Sequence, residues 1–417
     1  MRESAGKSRI SRIVMVAGGV ETLEYFAEQM AKRFRELGYA VFFYDLKDEA
    51  ASARTLRKFV RTGQTALVTF NFQGLEKEEG VYRDGIGYVW EEYRIPCYNI
   101  AADHPYFYDD RLHDLPPDYH HISIDRCQEN YFQEFYPEYH SQGFLPLAGT
   151  GLCENQSGGG KPAGSGQCAE REYDVLLTGN YTTLSFFEPY INWINDEYAA
   201  FYRGIIDDLI AHPHQTVEEA GIRHCEREMG KTPYDELRIA FHRMIFIDLY
   251  VRNYWRGAAV RTLVNAGIRV DVVGKGWEEL EGIKRPECLV IHPQTDSLTC
   301  LQMISRAKIS LNVMPWFKDG AHDRVFNSIL NGTVCVTDPS RYLTEELAEG
   351  EGVCYYELER LSELPGKVQR LLDDPKLRER IAAAGLPKVR ERHTWAVRAD
   401  VIAGWFETAA SAAAGLG

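Results

Sequence analysis

The stretch over 309–338 limits the fold more than any other. It reads as a buried strand (309–314), a polar loop, an amphipathic helix, a glycine stop and a second buried strand (334–337). Two apolar strands joined through one helix lie parallel in a sheet, with a right-handed crossover in nearly all cases. Within the helix, Val325, Phe326, Ile329 and Leu330 recur at the spacing of one buried face. Asp323 is expected to cap its start and Gly332 to end it.

The same rhythm runs through the chain. Residues 12–17 form a short apolar strand followed by Gly18 and Gly19. Leu23, Phe26, Ala27, Met30 and Phe34 then mark an amphipathic helix that ends near Gly38. Further buried strands are expected at 41–44, 66–70, 97–101 and 121–124. A second series is expected at 174–177, 269–273, 289–292, 309–314 and 334–337, with a helical region over 186–266 and helices over 361–372 and 395–406. Between 149 and 170 the composition turns to Gly, Ser, Lys and Pro, the mark of a linker or surface insertion. The chain therefore reads as α/β, with two Rossmann-like domains over 1–148 and 171–394 whose parallel sheets face a central cleft.

Composition narrows the partners. With 417 residues, 61 acidic against 47 basic and a net charge of -14, broad attraction to nucleic acid or anionic lipid is disfavoured. No apolar run approaches the ~20 residues of a membrane span. The basic N-terminus runs straight into the first strand without a signal-peptide core, so a cytoplasmic location is expected. The 9 cysteines are odd in number and without a Cys-x-x-Cys pair, which suggests idle thiols in a reducing compartment. Cys153 and Cys168 bracket the Gly-rich segment and leave a pairing open.

Candidate site residues follow strand ends. Arg324 falls in the first helical turn, where a cation opposes the helix dipole by about 0.3–1 kcal/mol. An anion shared between Arg324 and the free N–H groups reverses that sign, and a nucleotide sugar's diphosphate is such an anion. Pairing with Asp319 or Asp323 is the structural alternative. Gly274, Lys275 and Gly276, ahead of Trp277, could also approach phosphate, as could Gly179 and Asn180. Asp338 and Ser340 follow the next strand, where Ser340 serves equally well as a helix cap. In the first domain, Asp103 beside His104 at a strand end suits acid–base work on an acceptor hydroxyl, and packing of His104 under Tyr106–Tyr108 is the other reading. Gly18 and Gly19 could admit a ligand or simply make a tight turn. His212, His214, His120 and His121 lack a third ligand at metal spacing, so no metal and no cofactor are expected. No Asp-x-Asp triplet occurs to grip a diphosphate through a divalent ion. The aromatic runs 131–139 and 193–202 suggest packing first and sugar stacking second.

The segment 298–398 resembles the C-terminal domain of group 1 GT-B glycosyltransferases, in particular the CgeB-like (spore-maturation type) branch. The matching pieces are RVFNSILNG over 324–332, VCVTDPS over 334–340, LLDDP over 371–375 and ERHTWAVR over 391–398, with WEEYRIP over 90–96 and DHP over 103–105 in the first domain. The resemblance implies a GT-B-like fold with an N-terminal acceptor domain, a C-terminal donor domain and a C-terminal helix over 395–417 that crosses back to the first. It implies a nucleotide-sugar donor and a glycan or protein acceptor, with a hint of bacterial surface or spore-coat glycoconjugates. Many group 1 enzymes carry two glutamates separated by seven residues, the first on the donor sugar and the second on the ribose. Here Asp319, followed by Gly320, and Asn327 hold that spacing, so the wider class's retaining outcome is not carried over. Two other readings stand beside metal-independent transfer: a sugar-nucleotide epimerase, and a non-catalytic nucleotide-sugar-binding scaffold.

Overall fold

The computed structural model describes residues 10–152 and 171–415. Cys153, Cys168 and most of the 149–170 segment lie outside them. The chain divides into two compact units, Met1–Pro146 with Thr394–Gly417, and Leu147–His393.

The first unit is built on β1 (Arg12–Ala17), β2 (Ala40–Asp45), β3 (Thr65–Phe70), the short pair β4 (Tyr82–Arg83) and β5 (Gly87–Tyr88), then β6 (Cys97–Ala101), β7 (Tyr119–Ser123) and β8 (His140–Phe144). Its main sheet runs β2-β1-β3-β6-β7-β8, every pair parallel. The helix Glu21–Glu36 buries Leu23, Phe26, Ala27, Met30 and Phe34, the stripe its spacing marks out. Strand β8 has no apolar run to mark it, because HSQGF is polar and at most half-buried.

The second unit carries β9 (Tyr173–Thr178), β10 (Val270–Val273), β11 (Leu289–His292), β12 (Ala307–Leu311), β13 (Val334–Thr337) and β14 (Val353–Tyr355) in the order β11-β10-β9-β12-β13-β14. All its pairs are parallel, and the order reverses between β9 and β12. At such a switch point the strand ends open a crevice where ligands of α/β sheets bind. Strand β12 stops at Leu311 instead of Met314, because the Met314 N–H turns away from the sheet to donate to Asp338 Oδ1 (2.8 Å). The helix expected over 361–372 is a 3-10 turn, Leu358–Glu363, followed by a helix, Leu364–Asp373, with Pro365 in its first turn where the missing N–H costs nothing.

The C-terminal helix Trp395–Gly415 belongs to the first unit. Trp395 stacks on Phe26 (4.3 Å between centroids) and meets Phe70 edge-on (5.8 Å). Phe406 lies against Tyr98 (5.2 Å), and Arg398 Nε donates to Pro146 O (2.6 Å). Replacing Trp395 with Ala is expected to destabilise this unit by about 3–5 kcal/mol, the usual cost of emptying a buried indole site. Urea denaturation followed by circular dichroism measures it.

Candidate functional site

The second unit's switch point is closed by one side chain. Arg324 Nη1 donates to Thr178 O at the end of β9 (2.5 Å), and Nε donates to Asn312 Oδ1 just beyond β12 (3.0 Å). Asn312 is itself fixed, donating from Nδ2 to Thr337 Oγ1 at the end of β13 (2.9 Å). The remaining nitrogen, Nη2, is buried and has no acceptor among the described residues. A buried charged donor left so is costly unless an anion meets it.

Arg324 stands in the first turn of the helix Asp323–Leu330, whose N-cap is His322 and not Asp323. His322 Nδ1 accepts from the Arg324 N–H (3.3 Å). Burial, and then the Arg324 charge, push the His322 ring down to about 4, so it is neutral at pH 7. Asp323 is already helical and accepts from Asn327 Nδ2 (2.9 Å). Burial opposes its ionisation, but His322 and Arg324 outweigh that and hold it below the usual carboxylate range.

Two further arginines come from the long helix Ile245–Asn265. Arg256 Nη1 donates to Asn180 O, and its guanidinium lies over the Trp316 ring (5.5 Å). Arg252 lies over the same ring (4.7 Å) and is paired with Asp248 one turn away (2.5 Å). Among the described residues no carboxylate pairs with Arg256. Burial first, then Arg324 and Arg252, push Arg256 down to about 9. Positive charge is thus concentrated beyond what the protein compensates. Sequence reading missed Arg252, Arg256 and Trp316. The local signal was only Arg252 and Arg256 at i, i+4, on one side of a helix that also carries Asp248 and Arg261.

The loops after β9 and β10 clamp one another. Asn180 Oδ1 accepts from the Lys275 N–H (2.9 Å), and Trp277 Nε1 donates to Gly179 O (2.8 Å). Gly179 has φ 147°, and a Cβ there would stand 2.7 Å from Arg324 Nη1. At Gly276, φ 83°, a Cβ would strike Tyr181 O at 2.1 Å. Gly274 lies against Gly179 O in the same way, and the Lys275 side chain is exposed.

Other expected donor contacts are engaged inside the unit. Asn327 Oδ1 accepts from the Thr150 N–H (2.8 Å) while its amide donates to Asp323, so it braces the chain entering the unit. Ser340 caps the helix Arg341–Glu346 through Leu343 N (3.0 Å) and donates to Gly320 O (2.5 Å). Asp319 is nearly buried and faces Arg341 (3.4 Å). Asp338 holds the Met314 N–H, and burial raises its carboxyl to about 7.

In the first unit, His104 is enclosed. Its ring stacks on Tyr106 (3.9 Å) and meets Tyr131 edge-on (4.6 Å), and Nδ1 caps the turn Pro105–Tyr108. The packed reading of His104 is the one the geometry matches. Asp103 is more open: Oδ2 accepts from Tyr108 OH (3.2 Å) and from Asn71 Nδ2 (3.5 Å). Asn71 and Phe72 follow β3 with φ 47° and 65°, a left-handed pair that non-glycine residues adopt at a cost. Gly18 and Gly19 sit where the loops after β1, β2 and β3 meet, crowded by Asp45 and Gln73.

The histidines read as non-ligands have local partners. His120 faces Asp118 (2.9 Å), and His212 lies 3.8 Å from Asp208. His121 is buried against Phe132 (3.6 Å), and burial pushes it down to about 3. His214 lies 3.6 and 3.5 Å from the half-buried Glu357 and the exposed Glu359, too far along the chain for local spacing to reveal.

Two parallel Rossmann-like sheets are the arrangement of the GT-B fold. The fold is similar to that of sucrose-phosphate synthase from Thermosynechococcus elongatus, at TM-score 0.51 and 11% identity over 96% of this chain and 100% of that one. Anabaena HepE, solved with UDP and glucose, aligns at TM-score 0.49 and 10% identity over 95% and 100% of the two chains. AviGT4, a glycosyltransferase involved in avilamycin A biosynthesis, aligns at 0.49 and 11% over 96% and 98%. A search of curated proteins returned no match. Residues 253–404 match the family model described as glycosyl transferase-like. The fold is thus that of the GT-B type, and the segment matched by the family model runs from the long helix Ile245–Asn265 into the C-terminal helix.

Two predictions separate binding from structure here. Arg256→Ala should weaken binding of nucleoside diphosphates by about 10–100-fold, a loss of one charge-assisted contact, with little change in melting temperature. Arg324→Ala should weaken binding and lower the melting temperature together, because Thr178 and Asn312 lose their donor. Calorimetry and thermal shift against UDP, GDP, ADP and dTDP check both. For Asp338, a folded-state value raised to about 7 means that ionisation opposes folding. Stability should therefore fall as pH rises from about 4 to 7 and level off above. Asp338→Asn should remove that slope and stabilise the protein by about 1–3 kcal/mol at pH 8, as read from urea unfolding at pH 5 and pH 8.

Proposed function

We propose that the chain moves a sugar from a nucleotide-sugar donor to a hydroxyl of a glycan or protein acceptor, with the donor's diphosphate seated against Arg324 and Arg256. The observation that carries this reading is the buried Arg324 Nη2, left without a protein acceptor at the switch point of the second sheet. Two uncompensated guanidiniums match the two charges of a diphosphate, and the first-turn N–H groups of the helix Asp323–Leu330 add donors. As the leaving nucleotide gains charge, these fixed donors stabilise it without reorganising, which serves the purpose a divalent ion serves elsewhere. Lys275, exposed beside the loop pair, supplies a further charge near the same anion. Asp319 and Gly320, on the loop before His322, stand nearest in sequence to where a donor sugar would lie.

On the acceptor side, Asp103 is the group best placed to take a proton from the attacking hydroxyl. Asn71 and Tyr108 orient its carboxylate, and His104 supports the turn that presents it. The CgeB-like branch is the finer family reading, supported by the runs 324–332 and 334–340, both within the matched segment. It favours bacterial surface or spore-coat glycoconjugates as acceptors.

Release of nucleoside diphosphate from a panel of nucleotide sugars, with and without EDTA, tests the reading. Turnover should persist in chelator; complete loss, restored by manganese, would overturn the metal-independent mechanism. Asp103→Asn should lower turnover about 10²–10⁴-fold while donor affinity stays near wild type. Conversion of the donor to an epimer with no diphosphate released would assign the site to the epimerase reading.

A further inference from the structure

We propose that the aromatic corner formed by Phe186, Tyr190, Trp193 and Tyr198 is a docking platform for a neutral glycan, the acceptor class of the transfer reaction proposed above. These side chains are 54%, 49%, 82% and 48% exposed, with Ile194 beside them at 51%. Large apolar groups gathered this way on a surface mark an interaction site. They occupy the 3-10 turn Leu184–Phe187, the short helix Glu188–Ile191, the turn after it, and the start of the helix Asp196–Ala211.

Three of the four rings, Phe186, Tyr190 and Tyr198, have aromatic neighbours that support them. Phe186 contacts Tyr190 (5.9 Å), Tyr190 stacks on Phe246 (6.1 Å), and Tyr198 contacts Tyr202, which meets Phe246 edge-on at 5.1 Å. Held in this way, they lose little freedom on binding. Their surroundings choose the ligand. Glu188 is neutralised by Arg203 (2.6 Å), while Asp196 and Glu197 lie exposed in the first turn of their helix. An acidic rim on a chain of net charge -14 repels nucleic acid and anionic lipid. A pyranose offers apolar C–H faces to the rings and hydroxyl donors to the carboxylates, so a neutral sugar chain satisfies both features. The platform also continues the loop that borders the arginines: Asn180 O accepts from Arg256, and the Thr182 N–H donates to Asn253 Oδ1 (2.9 Å) four residues before Phe186.

The test uses the full chain on an array of printed neutral and acidic oligosaccharides, with the double variant Trp193→Ala/Tyr190→Ala alongside. The wild type should bind neutral glycans, and the variant should lose about tenfold in signal, the effect of removing two stacked rings. Its thermal shift with nucleoside diphosphates should be unchanged. Array binding equal in both proteins, no neutral-glycan binding by the wild type, or preference for acidic glycans would overturn the proposal. So would a wild-type dimer that becomes monomeric in the variant by light scattering, since the rings would then serve self-association. Loss of glycan signal in the variant with no nucleotide shift in either protein would sink the donor-site reading while leaving the platform intact.

Discussion

The second unit depends on one buried guanidinium. Three neighbouring strands, β9, β12 and β13, end at the switch point with polar groups that the sheet no longer satisfies. Arg324 takes the Thr178 carbonyl directly and reaches β13 through Asn312 and Thr337. A neutral side chain could make one of these bonds but could not span both strand ends from a helix start. The arrangement is poor electrostatics for an empty protein, because the cation faces the positive end of its own helix and two more arginines. Burial lowers Arg324's affinity for its proton, and the neighbouring acids only partly restore it. Such a cluster is coherent once an anion belongs to it.

That logic sorts the polar groups around it. Arg252 is bound to Asp248 and serves mainly to hold the Trp316 ring and shape the field. His322 caps the helix start as a neutral ring, and the ionised Asp323 beside it is held by the Arg324 charge and the Asn327 amide. Asp338, directly after β13, is kept close to neutral by burial. The unit therefore keeps its acids paired or discharged next to the crevice while leaving Arg256 and one arm of Arg324 available.

The sheets were legible because buried parallel strands leave largely apolar runs, such as 97–101 and 334–337, whose limits match the observed strands. Where polarity crept in, as at β8, the pattern failed. Arg324 could be found because it stands in a recognisable strand–loop–helix unit. Arg256 was harder to find, because its relation to Asn180 spans 76 residues. For His104 both its place after a strand and its neighbour Tyr106 were visible, but the Tyr131 ring that meets it comes from a separate helix. Local sequence specifies backbone placement well. Side-chain company is set by tertiary contacts that no local pattern encodes.

The helical region between β9 and β10 shows how the general fold acquires particular chemistry. The sheet, its crossovers and the helix start at Asp323 provide an anion site that any doubly wound domain could offer. The inserted helices then add Arg252 and Arg256 on one side and the exposed aromatic corner on the other, both anchored to the single loop after Thr178. Phe246, which supports Tyr190 and Tyr202, belongs to the same long helix as Arg256, ten residues earlier. A helix of that length is rigid over three turns, so the position of the aromatic layer and the position of the guanidinium are mechanically linked. Change in either surface without change in the sheet is then the cheapest way for this scaffold to alter what it binds.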